Sequence, residues 1–213
     1  MSAPPPARLL SVNCGQPRPV PWGSLKRSAI DKQPVEGRVR VHRLGLDGDA
    51  VADTESHGGV DQAVYAFARE DLDEWAGLLG RELASGSFGE NLTTLGLDVT
   101  GAVIGERWRA GTAVVEVSSP RIPCSVFAGW MDEQKWVKRF TQRGRPGAYL
   151  RVVEEGALEV GDAVEVVHRP AHGLTLGETF RALTGDRELV PRLLDAPELP
   201  AGSHAYARRI LGR

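Results

Sequence analysis

Cys124 closes the stretch Ser119-Pro120-Arg121-Ile122-Pro123-Cys124, where residue types and spacing speak most clearly of chemistry. Two prolines fix φ at positions 120 and 123. Each presses its predecessor, Ser119 or Ile122, toward extended backbone. The loop is therefore stiff and presents the thiol at a defined place. Arg121 precedes the thiol by three residues, and a guanidinium near a thiol favours the thiolate. Both a nucleophile and a soft-metal ligand require a thiolate. Taken alone, the segment also suits a buried cysteine acting as a small hydrophobe at a strand end, the more ordinary fate of a lone cysteine. The other cysteine, Cys14, sits beside Gly15 with no cation before Arg18 and reads as structural.

Three further stretches carry polar groups in unusual settings. His57-Gly58-Gly59-Val60-Asp61-Gln62 pairs two glycines, which let backbone approach a ligand, with His57 and Asp61 as hydrogen-bonding groups. A tight turn would need the same glycines. Phe88-Gly89-Glu90-Asn91-Leu92 would aim Glu90 and Asn91 into a pocket, or form an ordinary turn. Lys26, Arg27 and Lys32, with Ser28 between, lie in a Gly/Pro-rich segment suited to a phosphate or to a solvated loop. The histidines at 42, 168, 172 and 204 form no nucleophile–base pattern. No serine has the G-x-S-x-G context.

The elements that must position these residues are mostly short strands. Residues 8–14, 38–43, 62–68, 90–94, 103–109, 112–118, 148–154 and 163–168 read as strands, separated by turn signals. Residues 15–37 read as a long irregular or edge segment. Many short strands at this spacing predict a barrel or sandwich. Apolar spacing predicts a helix over 69–82, and a second over 132–142 with Asp132 as its N-cap. After Pro170 the pattern changes to three short helices, over 175–184, 186–195 and 203–212. Thr175 and Glu178 have capping-box spacing. The chain is therefore divided into residues 1–170 and 171–213, the second too short for its own large core and obliged to dock on the first or on a partner.

Composition narrows the function classes. The chain has 213 residues, 41% apolar and 25% charged, so a packed core is expected. A net charge of −2 gives no global reason for nucleic acid or an anionic membrane. The sequence offers no apolar run of membrane-spanning length and no secretory leader pattern. Two cysteines make a disulfide scaffold an unsuitable reading and a reducing, cytoplasmic setting the better one. No Cys/His cluster has zinc spacing.

In order along the chain, GLDGD (45–49), HGGVDQAVYAF (57–67), FGENL (88–92), PRIPC (120–124), KWVKRF (135–140) and GD (161–162) resemble the MOSC family. The match is closest to its YiiM-like branch, whose short three-helix extension the tail also resembles. The resemblance covers roughly residues 8–213. It implies a mainly β fold, a MOSC-type β-barrel core with peripheral helices and a small C-terminal helical unit. It implies the molybdenum cofactor (molybdopterin), with Cys124 as metal ligand and catalytic residue. It also implies Asn91, Arg121, Ser28 and Lys32 around the pterin and its phosphate, with His57 and Asp61 lining the pterin site or the substrate mouth. The activity implied is reduction of small N-hydroxylated compounds such as 6-hydroxylaminopurine, with electrons from a separate flavin-containing reductase. The helical tail would dock that partner or a second copy of the chain, as a homodimer. A cofactor carrier without turnover, and a sulfur carrier holding a persulfide on Cys124, use the same cysteine.

Overall fold

In the computed structural model, which describes residues 6–23, 25–53 and 58–213, the alternating and buried apolar runs become strands and the 3.6-period runs become helices. The strands are β1 (Arg8–Cys14), β2 (Arg18–Pro19), β3 (Arg27–Ser28), β4 (Gln33–Pro34), β5 (Val39–His42), β6 (Gly45–Leu46), β7 (Val64–Ala68), β8 (Leu92–Leu95), β9 (Arg107–Ala110), β10 (Ala113–Pro120), β11 (Ala148–Glu154), β12 (Gly156–Leu158) and β13 (Val164–His168). The helices are α1 (Arg69–Leu79), α2 (Ser125–Met131), α3 (Trp136–Arg143), α4 (Leu176–Thr184) and α5 (Ala201–Leu211), with 3-10 turns at Val60–Gln62 and Val190–Leu194.

Eight strands form one sheet in the order β13-β9-β10-β11-β7-β8-β1-β4, with β5, β6 and β12 in a second, three-stranded sheet. All pairings in the large sheet are antiparallel except β7 with β8. The intervening α1 makes the crossover that a parallel pair requires. The sheet curls until β1, next to its last strand, meets the start of β13. Leu9 N–H donates to the Asp162 carbonyl and Val164 N–H to the Ala7 carbonyl, and Arg8 bridges Ala163. The tie spans a few residues and not a full ladder, so the predicted barrel is a sheet closed at one short seam.

Two apolar clusters fill the interior. The larger joins β1, β7, β9, β10 and β11 to Leu174, Leu176, Ala182, Val190, Leu193, Leu199 and Ala207. The C-terminal helices therefore complete the core of the sheet and hold no separate one. Thr175 caps α4 as its spacing predicts: its Oγ1 accepts from Glu178 N–H at 3.1 Å and its own N–H donates to Glu178 Oε2 at 2.9 Å. The second cluster is aromatic, with Trp75, Phe88, Phe127, Trp136 and Phe140 packed ring to ring at 4.7–6.1 Å.

Two helix expectations are corrected. Asp132 does not start a helix. It ends α2 in the left-handed conformation, at φ 52°, and α3 begins only at Trp136, after Lys135 at φ 56°. Phe127 and Met131 of one helix and Trp136 and Phe140 of the next all enter the aromatic cluster across this break. The segment over 186–195 forms a 3-10 turn at Val190–Leu194 where an α-helix is expected, since Pro191 cannot donate inside a helix.

Candidate functional site

The PRIPC loop leaves the end of β10 and delivers Cys124 to the position just before α2. There the half-buried cysteine lines an open cleft of about 850 Å³ when its mouth is counted. The 25–32 loop adds Arg27, Ser28 and Lys32 to its wall. Asp49, Gln62, Asn91 and the strand residues Tyr65 and Tyr149 complete it.

Arg121 is buried, at 7% exposure, beside the thiol. Its guanidinium lies 4.1 Å from the Phe127 ring centroid and 5.0 Å from that of Tyr65, and Nη1 donates to the Phe88 carbonyl. Burial works against its charge. The Tyr149, Tyr65 and Cys124 side chains outweigh burial and hold its pKa above the ordinary arginine value. Arg121 and Cys124 are therefore close enough to interact electrostatically. Burial pushes both Tyr65 and Tyr149 up, against the pull of Arg121, so both are neutral hydroxyls at neutral pH. Tyr65 donates its proton to the Pro146 carbonyl at 2.7 Å.

The FGENL motif divides its labour. Glu90 does not point into the cleft. It is fully buried and accepts from Gly86 N–H at 2.6 Å, Phe88 N–H at 3.0 Å and Thr93 Oγ1 at 2.9 Å, fastening the turn, while burial raises its pKa. Gly89, at φ 73°, permits the close approach of that turn to the 25–32 loop, because a Cβ there would stand 2.8 Å from Ile30 Cγ1. Asn91 lines the cleft, but both its amide protons are engaged, with Asp49 Oδ2 at 2.8 Å and the Asn13 carbonyl at 3.2 Å. Its Oδ1 accepts from Tyr65 N–H at 3.1 Å. The side chain expected to donate to a ligand is a tether between β1, Asp49 and β7.

The cationic loop fares differently. Ser28 and Lys32 are both buried and both line the cleft. Ser28 Oγ accepts from Ile30 N–H at 3.1 Å, which leaves its hydroxyl proton available. Lys32 Nζ lies 2.5 Å from Asp49 Oδ1. Arg27, also on the wall, is exposed and donates to the Pro17 carbonyl.

Asp61 sits beside the cleft residues Gly58, Gln62 and Ala63, with its carboxylate paired to Arg151 at 2.5 Å and its carbonyl accepting from Ser118 Oγ. The 3-10 turn faces Asp61 toward β10 and β11 because Arg151 and Ser118 wait there. His57 lies outside the described residues. Sequence reading missed Asp49, Tyr65 and Tyr149. Asp49 lies in the quoted GLDGD stretch but has the composition of any turn, and tyrosines in strands look like core.

A model of the MOSC domain matches residues 53–165. The chain belongs to the MOSC family. Among its relatives, the uncharacterized protein YflK of Bacillus subtilis is 36% identical over 169 residues, which is 79% of this chain and 76% of that protein. The crystal structure of YiiM from Geobacillus stearothermophilus matches with a TM-score of 0.81 at 30% identity, over 97% of this chain and 100% of that one. This MOSC protein is therefore YiiM-like in fold along nearly its whole length, tail included. A protein of Gibberella moniliformis named reductase is 29% identical over 201 residues, 92% of this MOSC chain but 36% of the fungal protein. Among the described residues, no helix is long and apolar enough to cross a membrane.

Proposed function

We propose that the cleft holds the molybdenum cofactor, with Cys124 as the protein's ligand to the metal, and that the chain reduces N-hydroxylated compounds to amines. The observation that carries this reading is one thiol in the same cleft wall as buried Arg121 and Lys32 and the hydroxyl of Ser28. Among the described residues, no group of three or more His, Cys, Asp or Glu side chains could hold a bare ion. A metal that arrives with its own dithiolene chelate asks less of a protein: one soft ligand, and donors for the phosphate at the other end. The donor set fits that description.

When bound, the group would supply a two-electron reduction, R–NH–OH + 2 e⁻ + 2 H⁺ → R–NH₂ + H₂O. The chain's own residues bind and orient. Arg121 keeps a positive charge beside the Cys124 sulfur. Ser28 and Lys32 offer donors to an anionic group. Tyr149, protonated and on the wall, offers a hydroxyl donor to a substrate oxygen. Electrons would come from a flavin-containing reductase in a cytoplasmic setting. Similarity to 36% of a longer fungal protein named reductase supports a redox role for this chain.

The test is protein purified from a cofactor-producing host, with molybdenum counted per chain and 6-hydroxylaminopurine offered with a chemical electron donor. Stoichiometric molybdenum and formation of adenine are expected. Absence of molybdenum would overturn the cofactor reading, and molybdenum without turnover would make the chain a carrier.

A further inference from the structure

We propose that Asp49 is a positioning residue that fixes Lys32 as an anion donor in the cleft, an inference that rests on the cofactor reading and extends it to a residue outside the expected binding set. One carboxylate gathers three donors from three segments. Lys32 Nζ reaches Oδ1 at 2.5 Å and Gly15 N–H reaches it at 2.8 Å, while Asn91 Nδ2 reaches Oδ2 at 2.8 Å. The lysine and aspartate side chains are 9% and 8% exposed, so this is a nearly dry ion pair. A desolvated pair is retained at a cost, and its best-attested return is a fixed arrangement.

The geometry shows what is fixed. Gly15 must be glycine for the contact to form, since a Cβ there would stand 2.8 Å from both the Ala29 and Asp31 carbonyls of the loop that carries Lys32. Asn91 spends its second amide proton on the Asn13 carbonyl, which locks Asp49 to β1 from the other side. Asp49 is thus held from two sides, and the lysine that leans on it is held with it. An ammonium carries three donors. Asp49 takes one, and those remaining belong to a side chain on the cleft wall. An otherwise flexible four-carbon stem is thereby pre-ordered, so an anion need not bear that entropy on binding.

A purely Coulombic view predicts the opposite sign. If the carboxylate only cancelled the lysine's charge, removing it would strengthen anion binding. The two accounts separate in cofactor-free protein titrated with inorganic phosphate, read by thermal shift, using Asp49→Asn, Lys32→Met and the double variant. Positioning predicts that phosphate stabilises the wild type. It predicts binding weaker by about tenfold in each single variant and no further loss in the double, the scale of one hydrogen bond to a charged group. Tighter phosphate binding by Asp49→Asn, additive losses in the double, or a wild type indifferent to phosphate would overturn it. Asp49→Glu serves if Asp49→Asn fails to fold, and it should recover part of the phosphate effect. Molybdenum per chain, counted on the same variants from a cofactor-producing host, should fall in parallel. A wild type that binds phosphate but never molybdenum would sink the cofactor reading and leave the role of Asp49 standing.

Discussion

Arg151 Nε lies 2.5 Å from Asp61 Oδ1, and the same guanidinium reaches Glu116 Oε1 at 2.9 Å and the Glu198 carbonyl at 2.7 Å. One side chain of β11 so joins the turn ahead of β7, strand β10 and the loop ahead of α5. Gly58, Gln62 and Ala63, on either side of Asp61, line the cleft. Arg151→Met should cost about 2–4 kcal/mol in chemical denaturation, because Asp61 loses its partner and nearly buried Glu116 keeps only Arg107. Amide exchange at residues 58–63 should quicken more than in the sheet. A cost below about 0.5 kcal/mol would mean that the network is effectively solvated.

The two cysteines should react unequally. Burial, and next the Asp49 charge, push the Cys14 thiol up to about 11, with Lys32 pulling the other way. At pH 8 only about 0.1% of Cys14 would be thiolate. Iodoacetamide at that pH should label Cys124 and leave Cys14 unmodified, as peptide mass spectrometry would read. Cys124→Ser should keep the melting temperature and lose molybdenum, whereas Cys14→Ser should keep the metal. Loss of metal from the Cys14 variant would mean that the wrong thiol has been assigned.

The same thiol sets an alkaline limit. Below pH 9 both the folded and the unfolded chain keep the Cys14 proton, and its contribution is constant. Between the ordinary value of 9.0 and about 11, only the unfolded chain releases it, so stability falls as pH rises. The loss is about 2–3 kcal/mol across that window. Urea unfolding at pH 8, 9.5 and 10.5 should show the decline, and Cys14→Ser should flatten it. Tyr65, raised by burial, would leave a residual slope from about pH 10.

Gly89→Ala should damage both stability and site. At φ 73° an alanine is strained, and its methyl would meet Ile30 Cγ1 at 2.8 Å and come within 3.6 Å of Arg121 Nη1. A destabilisation of about 1–3 kcal/mol is expected from denaturant midpoints. Molybdenum per chain should also fall, since displacing the turn moves the Phe88 carbonyl that accepts from Arg121. A variant as stable as the wild type would show that the turn yields more easily than its contacts suggest.

Elements with a strong period were legible in the sequence. Strand Arg8–Cys14, strand Ala148–Glu154 and the capped helix at Leu176 follow directly from alternation, β-branched content and a capping box. Helix α2 was not legible, because SVFAGWM is apolar nearly all round and carries Gly129, so no face announces itself. Its location depends on Phe127 meeting Phe88, far back in sequence, as well as Trp136 of the next helix. The site divides the same way. The placement of Cys124 follows from two local prolines. Motif position places Asn91 and Asp61 at the ligand, and distant partners engage their polar atoms. Asp49 matters through three hydrogen bonds that no local spacing reveals.

The curled sheet ends on two strands that are poor templates for another chain. Strand β4 is two residues long and includes Pro34, which has no N–H to offer. Strand β13 carries a register shift between Val166 and His168, bears Glu165, and is tied at its start by the Ala7 carbonyl. Exposed Val166 and Val167 would otherwise invite edge-to-edge addition. A protein so rich in strands is thereby guarded against polymerising through its own sheet, and the guard resides in a proline, a bulge and a seam of a few hydrogen bonds.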